Sequence, residues 1–191
     1  MKKESIYRIF SKLPELQTER FILRRMLPED ADDMYEYARN EGVTEYLTWS
    51  PHRNKSYTRE YLLYIKGRYR VGDFFDWAIV CKDSGKMIGT CGFTRFDYTN
   101  NCGELGYVVN PSYQGQGIAT EVCAKIIEFG FFRLELNRIE CKYMVGNEKS
   151  RRVMEKNGMV FEGIQREKML IKGQYRDIGV CALLKSDFDK K

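Results

Sequence analysis

The sequence predicts a mixed α/β fold built on a sheet of about seven strands, antiparallel except for one parallel pair. Three observations carry this. DWAIVCK, MIGTCGFTRF and ELGYVV follow one another with strand-like composition, joined by the turn sequences Asp83-Ser84-Gly85-Lys86 and Tyr98-Thr99-Asn100-Asn101, as in a meander. A strand, a helix and a strand then succeed one another between residues 104 and 145, which implies a parallel pair joined by a right-handed crossover. MVFEGI and YRDIGVCALL supply the last strands.

Along the chain, residues 1–16 carry Ile6, Ile9, Phe10 and Leu13 at helical spacing and form an N-terminal arm or short helix before a single domain over 17–191. TERFILRRM is a strand. Leu27-Pro28-Glu29-Asp30 starts a helix, because proline is tolerated in a first turn and acids suit its positive end. Residues 43–57 read as loop. A second helix covers Thr58 to Tyr69, with Gly72 just past its end. After the segment YQGQGIATEV, Val122, Ile126 and Phe129 mark a buried helical face that ends near Phe132. RIECKYMV is a strand, and Asn147 caps a helix that Asn157-Gly158 closes.

Composition narrows the function. Of 191 residues, 43% are hydrophobic and 31% charged, which suits a soluble globular protein. No run of about 18 apolar residues is present to span a membrane, and the N-terminus has no apolar core for a secretory signal. The net charge of +5 fits an anionic ligand, but the basic residues are scattered among acids and apolar residues, so nucleic-acid binding is not expected. Six cysteines without a CxxC pair, and the single histidine His52, leave no metal-site pattern. Free thiols packing as small apolar residues in a reducing cytoplasm account for them.

The turn at Gly115-Gln116-Gly117 is where chemistry concentrates. The first turn of a helix has free N–H groups and a partial positive charge, and glycine lets the backbone approach a phosphate. Gly115, Gln116, Gly117, Ile118 and Ala119 would offer N–H groups, and Thr120 a hydroxyl. Glycines needed only for their dihedrals would give the same local sequence. A P-loop requires lysine where Ile118 stands. A dinucleotide fingerprint requires glycine where Thr120 stands and an acid at the tip of the next strand, which instead ends Met144-Val145-Gly146.

Gln114-Gly115-Gln116-Gly117-Ile118-Ala119 does fit the pattern Gln/Arg-x-x-Gly-x-Gly/Ala after a strand. This resembles the pyrophosphate loop of the GNAT acetyltransferases. The similarity extends through LQTERFILRRMLPEDAD, MIGTCGF, GELGYVVNPSYQGQGIATEV, NRIECKYMVGNEKSRRVMEKNGMVFEG and GQYRDIGVCALL, roughly residues 16–188, and is nearest the branch that acetylates N-terminal amines of ribosomal and other proteins.

The resemblance implies a fold whose parallel pair splays into a cleft, acetyl-CoA as cosubstrate, no metal, and direct transfer to a primary amine in a ternary complex. Tyr107, Val108 and Val109 would pair with the pantetheine arm, and an N–H near Tyr107 or Val108 would face the oxyanion. Asn147 would bond the arm, and Ser150 would lie near sulfur and protonate the departing thiolate; plain helix capping explains the same two residues. Glu104, where related enzymes can carry a glutamate base, is the candidate base, with a pKa raised by a half-buried cleft. No tyrosine follows in Val153-Met154-Glu155, where polyamine acetyltransferases keep an acid. The expected partners are acetyl-CoA and an amine acceptor, with a ribosomal protein N-terminus among the candidates, in a cytoplasmic monomer or homodimer. A small-molecule or antibiotic amine, a non-catalytic acyl-CoA-binding module, and a ribosome- or RNA-binding protein with salt-sensitive binding are the alternatives.

Overall fold

A computed structural model describes residues 2–190. The first helix, α1 (Lys3–Ser11), buries Ile6 and Phe10. Two short strands follow, β1 (Leu16–Gln17) and β2 (Phe21–Arg24), then a 3-10 turn at Pro28–Asp30 that runs into α2 (Ala31–Ala38). Asp30 anchors this start. It takes the Arg24 guanidinium at 2.8 and 2.7 Å and the Leu27 N–H at 2.8 Å. The expected loop at 43–57 is shorter than the sequence suggested. A four-residue helix, α3 (Glu41–Thr44), overlaps its start, and α4 (Lys55–Val71) begins before Thr58 because Asn54 accepts the Tyr57 N–H at 2.8 Å. Gly72 ends α4 in the left-handed region, φ 81°.

The meander is β3 (Phe75–Cys81), β4 (Met87–Asp97) and β5 (Cys102–Val109). Next come α5 (Ile118–Phe132), β6 (Arg138–Met144), α6 (Glu148–Lys156), the hairpin β7 (Val160–Ile171) and β8 (Gln174–Leu184), and α7 (Lys185–Phe188). Eight strands form one sheet in the order β1-β2-β3-β4-β5-β6-β8-β7. The count exceeds seven because Leu16 and Gln17 pair with Leu23 and Ile22, a two-residue strand too short to show periodicity. Among the described residues, no helix is long and apolar enough to cross a membrane.

Every strand contact is antiparallel except β5–β6. That pair runs in register from Cys102 opposite Arg138 to Leu105 opposite Cys141, and there it stops. Beyond it, β5 stays on β4 as far as Val109, and β6 stays on β8 as far as Met144. The sheet therefore opens between Gly106–Val109 and Lys142–Met144.

Alternation gives the two faces different tasks. Trp77, buried on one face, packs edge-on against Phe10 of α1 and Phe129 of α5 at 5.4 Å each, so α1 and α5 cover this side. Asp76, Thr90, Gly92, Gly106 and Val108 share the other face, where Tyr37 of α2 and Tyr61 of α4 join them in lining a cleft. The gap between β5 and β6 connects the two sides.

Candidate active site

The cleft has a volume of about 2070 Å³. Every residue singled out from sequence lines it except Gln116. On β5, Glu104 and Val108 point to the α2/α4 side, and Tyr107 and Val109 to the α5 side.

The turn after β5 is held from three directions. Asn110, buried, accepts the Ser112 N–H at 3.1 Å and donates to Glu36 at 2.9 Å. Gln114 Nε2 donates back to the Val109 carbonyl at 3.1 Å. Arg20 binds Glu121 through Nε at 2.7 Å and the Gln116 carbonyl through Nη2 at 3.1 Å, which is what turns Gln116 away from the cleft. Gly115 and Gly117 take φ of 80° and 76°, a region costly for any other residue. Among the described residues, the N–H groups of Gly115 to Thr120 have no acceptor. A Cβ at Gly115 would meet no atom within 4 Å. A row of unsatisfied donors with open space before it, at the positive end of a fifteen-residue helix, suits a pyrophosphate.

Helix α6 starts across the gap. Asn147 caps it, its Oδ1 accepting the Ser150 N–H at 3.2 Å. Its Nδ2 has no acceptor among the described residues, so capping leaves a donor for a ligand. Ser150 Oγ lies 2.8 Å from the Tyr107 hydroxyl, which also donates to the Ser150 carbonyl at 3.1 Å. Burial pushes the Tyr107 hydroxyl well above the ordinary tyrosine range, with Cys141 and Cys123 adding to the rise and the Ser150 contact opposing it. A protonated tyrosine therefore stands beside Ser150. This tyrosine comes from β5, not from α6, where Val153-Met154-Glu155 has none.

Glu104 departs from expectation. Burial alone would raise its pKa, but Lys142 at 2.6 Å, Arg95 at 2.9 Å and Thr94 at 3.1 Å outweigh it and hold the carboxyl below the ordinary glutamate range. The expected raised pKa is thus corrected. Lys142 and Arg95 lie on β6 and β4, and no spacing within β5 announces them.

Lys149, Arg152 and Lys156 also line the cleft, and no ion pair is formed by them among the described residues. Their spacing, i, i+3, i+7, places them on one face of α6. Read as part of a scattered basic composition, they were not recognised as a group. Arg152→Ala with Lys156→Ala is expected to raise the Kd of an anionic cleft ligand about tenfold and to flatten its salt dependence, checked by titration between 50 and 300 mM salt. His52 also lines the cleft. Its Nδ1 lies 2.9 Å from Thr58 Oγ1 among the Trp49, Tyr57 and Tyr61 rings, and burial lowers its pKa. Cys141 is buried, and its thiol is held far above the ordinary range, chiefly by desolvation, so it is no thiolate nucleophile at neutral pH.

A parallel pair opened half-way along its length, with a helix start of unpaired N–H groups on one side and carboxyl groups on the other, is the architecture of an acyltransferase of the N-acetyltransferase class. The chain belongs to the GNAT acetyltransferase family, matching the acetyltransferase (GNAT) domain over residues 20–160. It is 34% identical over 173 residues to the uncharacterized N-acetyltransferase p20 of Bacillus licheniformis, covering 91% of this chain and 97% of that one. It is 26% identical over 180 residues to a ribosomal protein uS5 alanine N-acetyltransferase of Escherichia coli, covering 91% and 92%. In fold it superposes on an acetyltransferase of the GNAT family from Bacillus anthracis with a TM-score of 0.80 at 24% identity, over 91% of this chain and 99% of that one. The family resemblance read from the glycine turn and its flanks is borne out, as is the mixed, mostly antiparallel architecture.

Proposed function

We propose that the protein transfers an acetyl group from acetyl-CoA to a primary amine, foremost the N-terminal amine of a ribosomal or other cytoplasmic protein, in a ternary complex. The observation that carries this reading is the sheet opening itself, with the free donors of Gly115 and of Gly117 to Thr120 on its α5 side and an ionised Glu104 on its α2/α4 side. Relatives whose names specify serine or alanine of ribosomal proteins support the acceptor class.

Acetyl-CoA would supply the thioester carbonyl and a thiolate leaving group. Gly115, Gly117, Ile118, Ala119 and Thr120 hold the pyrophosphate. Past the last β6 partner of β5, the Tyr107 backbone and the Val109 N–H receive the pantetheine amides, with Val108 beside them in the cleft and Asn147 Nδ2 as a further donor; the Val109 carbonyl is taken by Gln114. A β5 N–H faces the developing oxyanion. The Tyr107–Ser150 pair gives a proton to sulfur.

Glu104 keeps a catalytic place, with its role adjusted to its environment. Ionised across the neutral range, it draws and orients the acceptor's ammonium and is a weak proton acceptor. Acetylation of a peptide library by the wild-type protein, followed by mass spectrometry and free-thiol release, tests the reaction. Saturable acetyl-CoA binding with no thiol release against peptides or small amines would replace it with a binding module. Glu104→Gln is expected to lower kcat/KM about tenfold, the scale of one charge-assisted contact. Its pH profile should keep its shape between pH 6 and 9, because a carboxyl held below its usual range does not titrate there. An unchanged rate removes Glu104 from the mechanism.

A further inference from the structure

The cleft has a second carboxyl that the transfer scheme does not use. We propose that Asp76, whose carboxyl reaches over Gly92 on the cleft face toward β5, accepts the proton of the acceptor's ammonium through one water. The inference rests on the acetyl-transfer reading above.

Strand register fixes the placement. Asp76 pairs with Gly92, and Gly92 pairs with Gly106, the first β5 residue past the end of the parallel pairing. The three lie in one row on one face. Gly92 leaves room for the carboxyl, and over Gly106 stands the Thr94 side chain, whose Cγ2 would lie 2.8 Å from a Cβ there. A Cβ on Gly92 would fall 2.9 Å from Asp76 Oδ1 and 2.3 Å from the Phe75 carbonyl, so the carboxyl occupies space that only glycine vacates. From there, β5 is about one strand spacing away, roughly 5 Å. One water spans that distance to an amine held beside Thr94 at the opening.

The surroundings suit a proton acceptor. From its own strand the Trp77 N–H donates to Oδ1 at 3.0 Å, and from β4 the Thr90 hydroxyl bonds the carboxyl. From α4 come the Tyr61 ring and Tyr69, whose hydroxyl donates to the Asp76 carbonyl at 2.7 Å; from α2 comes Tyr37. None of these groups is cationic, and Arg68, which also lines the cleft, is engaged by Asp73 at 2.6 Å. Burial pushes the carboxyl up to about 7, against the two hydrogen bonds that lower it. The Tyr37 hydroxyl is buried and has no hydrogen-bond partner among the described residues. Two carboxyls on one cleft face, one held low and one high, divide the work: Glu104 attracts the ammonium and Asp76 takes its proton.

The balance closes. The ammonium gives one proton through water to the Asp76 carboxylate, and the free amine forms the N–C bond as the C–S bond breaks. The proton then lost from nitrogen passes to water, the Tyr107–Ser150 pair delivers one to sulfur, and water returns a proton to that pair, so the net release is one proton. The proton on Asp76 passes to solvent as the products leave.

The test is the pH profile of peptide acetylation by wild type and Asp76→Asn, with acetyl-CoA affinity measured alongside. For wild type, kcat/KM should rise through an apparent pKa near 7. In Asp76→Asn it should fall on the order of a hundredfold at pH 7, with the rising limb moved toward the amine's own pKa of about 8 and the Kd for acetyl-CoA unchanged. A limb near 7 retained by the variant, or an equal loss at every pH, overturns the proposal. Melting curves at pH 8 show whether the variant is folded. Wild-type protein that acetylates no amine at any pH overturns the transfer reading itself, a separate result.

Discussion

Asp76→Asn is expected to gain stability over wild type as pH rises, by up to about 4 kcal/mol between pH 4 and pH 8. The folded carboxyl sits at about 7 and the ordinary value is 3.8. Between these values the folded chain holds a proton that the unfolded chain has released. The contribution of Asp76 to stability is therefore greatest below pH 4, declines through the interval and levels off above 7, where the carboxylate is ionised with no cation beside it; the other carboxyls titrate alike in both proteins and cancel in the comparison. Asparagine has the same shape, keeps an oxygen for the Trp77 N–H and does not titrate. The difference between the two proteins should thus be small in acid and grow with pH, which urea unfolding at pH 4, 6 and 8 measures. At pH 8 the gain corresponds to a melting temperature higher by roughly 10 °C. A difference that does not vary with pH would mean that the carboxyl is solvated and ordinary. The sign matters for function. A protein that sacrifices stability at its working pH to keep a half-buried acid is retaining it for another purpose.

Legibility in the sequence followed the range of the interaction. The meander, the crossover and the glycine turn rest on local patterns, and the structure has them where the residues put them: β3, β4 and β5 in order, then α5 opening at Ile118 and closing at Phe132. Asn147 was readable as a cap because its partner is three residues away. Features made by long-range register were not. Lys142 reaches Glu104 from β6 and Arg95 reaches it from β4, and together they reverse the pKa shift that burial suggested. Asp76 opens a strand segment that looks like any other. Its meaning comes from Gly92 and Gly106 lying beside it, a row that exists only once the register is set. Tyr107 was chosen for its backbone, and its hydroxyl finds Ser150 only because the strands diverge past Leu105. The basic face of α6 is the exception. Lys149, Arg152 and Lys156 were legible at helical spacing, and overall charge statistics hid them.

Gly117→Val should weaken acetyl-CoA binding by about 4 kcal/mol, roughly a thousandfold, the sum of about two charge-assisted hydrogen bonds. Gly117 caps α5 with φ 76° and ψ 3°. A β-branched residue is strongly disfavoured there, by roughly 1–2 kcal/mol or more. The turn escapes the strain only by rotating the peptides on either side of it, and those carry the N–H groups aimed into the cleft. The fold has less at stake. A Cβ at this position lies 3.9 Å from Arg20 Nη2, and no backbone atom is within 4 Å. The free variant should therefore melt within several degrees of wild type and lose the thermal shift that acetyl-CoA gives wild type. Gly115→Ala sharpens the comparison. Its methyl group would meet no protein atom within 4 Å, so beyond the dihedral cost any loss of affinity reports an occupant of that space. Calorimetric titration of both variants decides the matter. Wild-type affinity in Gly117→Val would remove the turn from the binding site, leaving its two glycines as the means of a tight strand-to-helix connection.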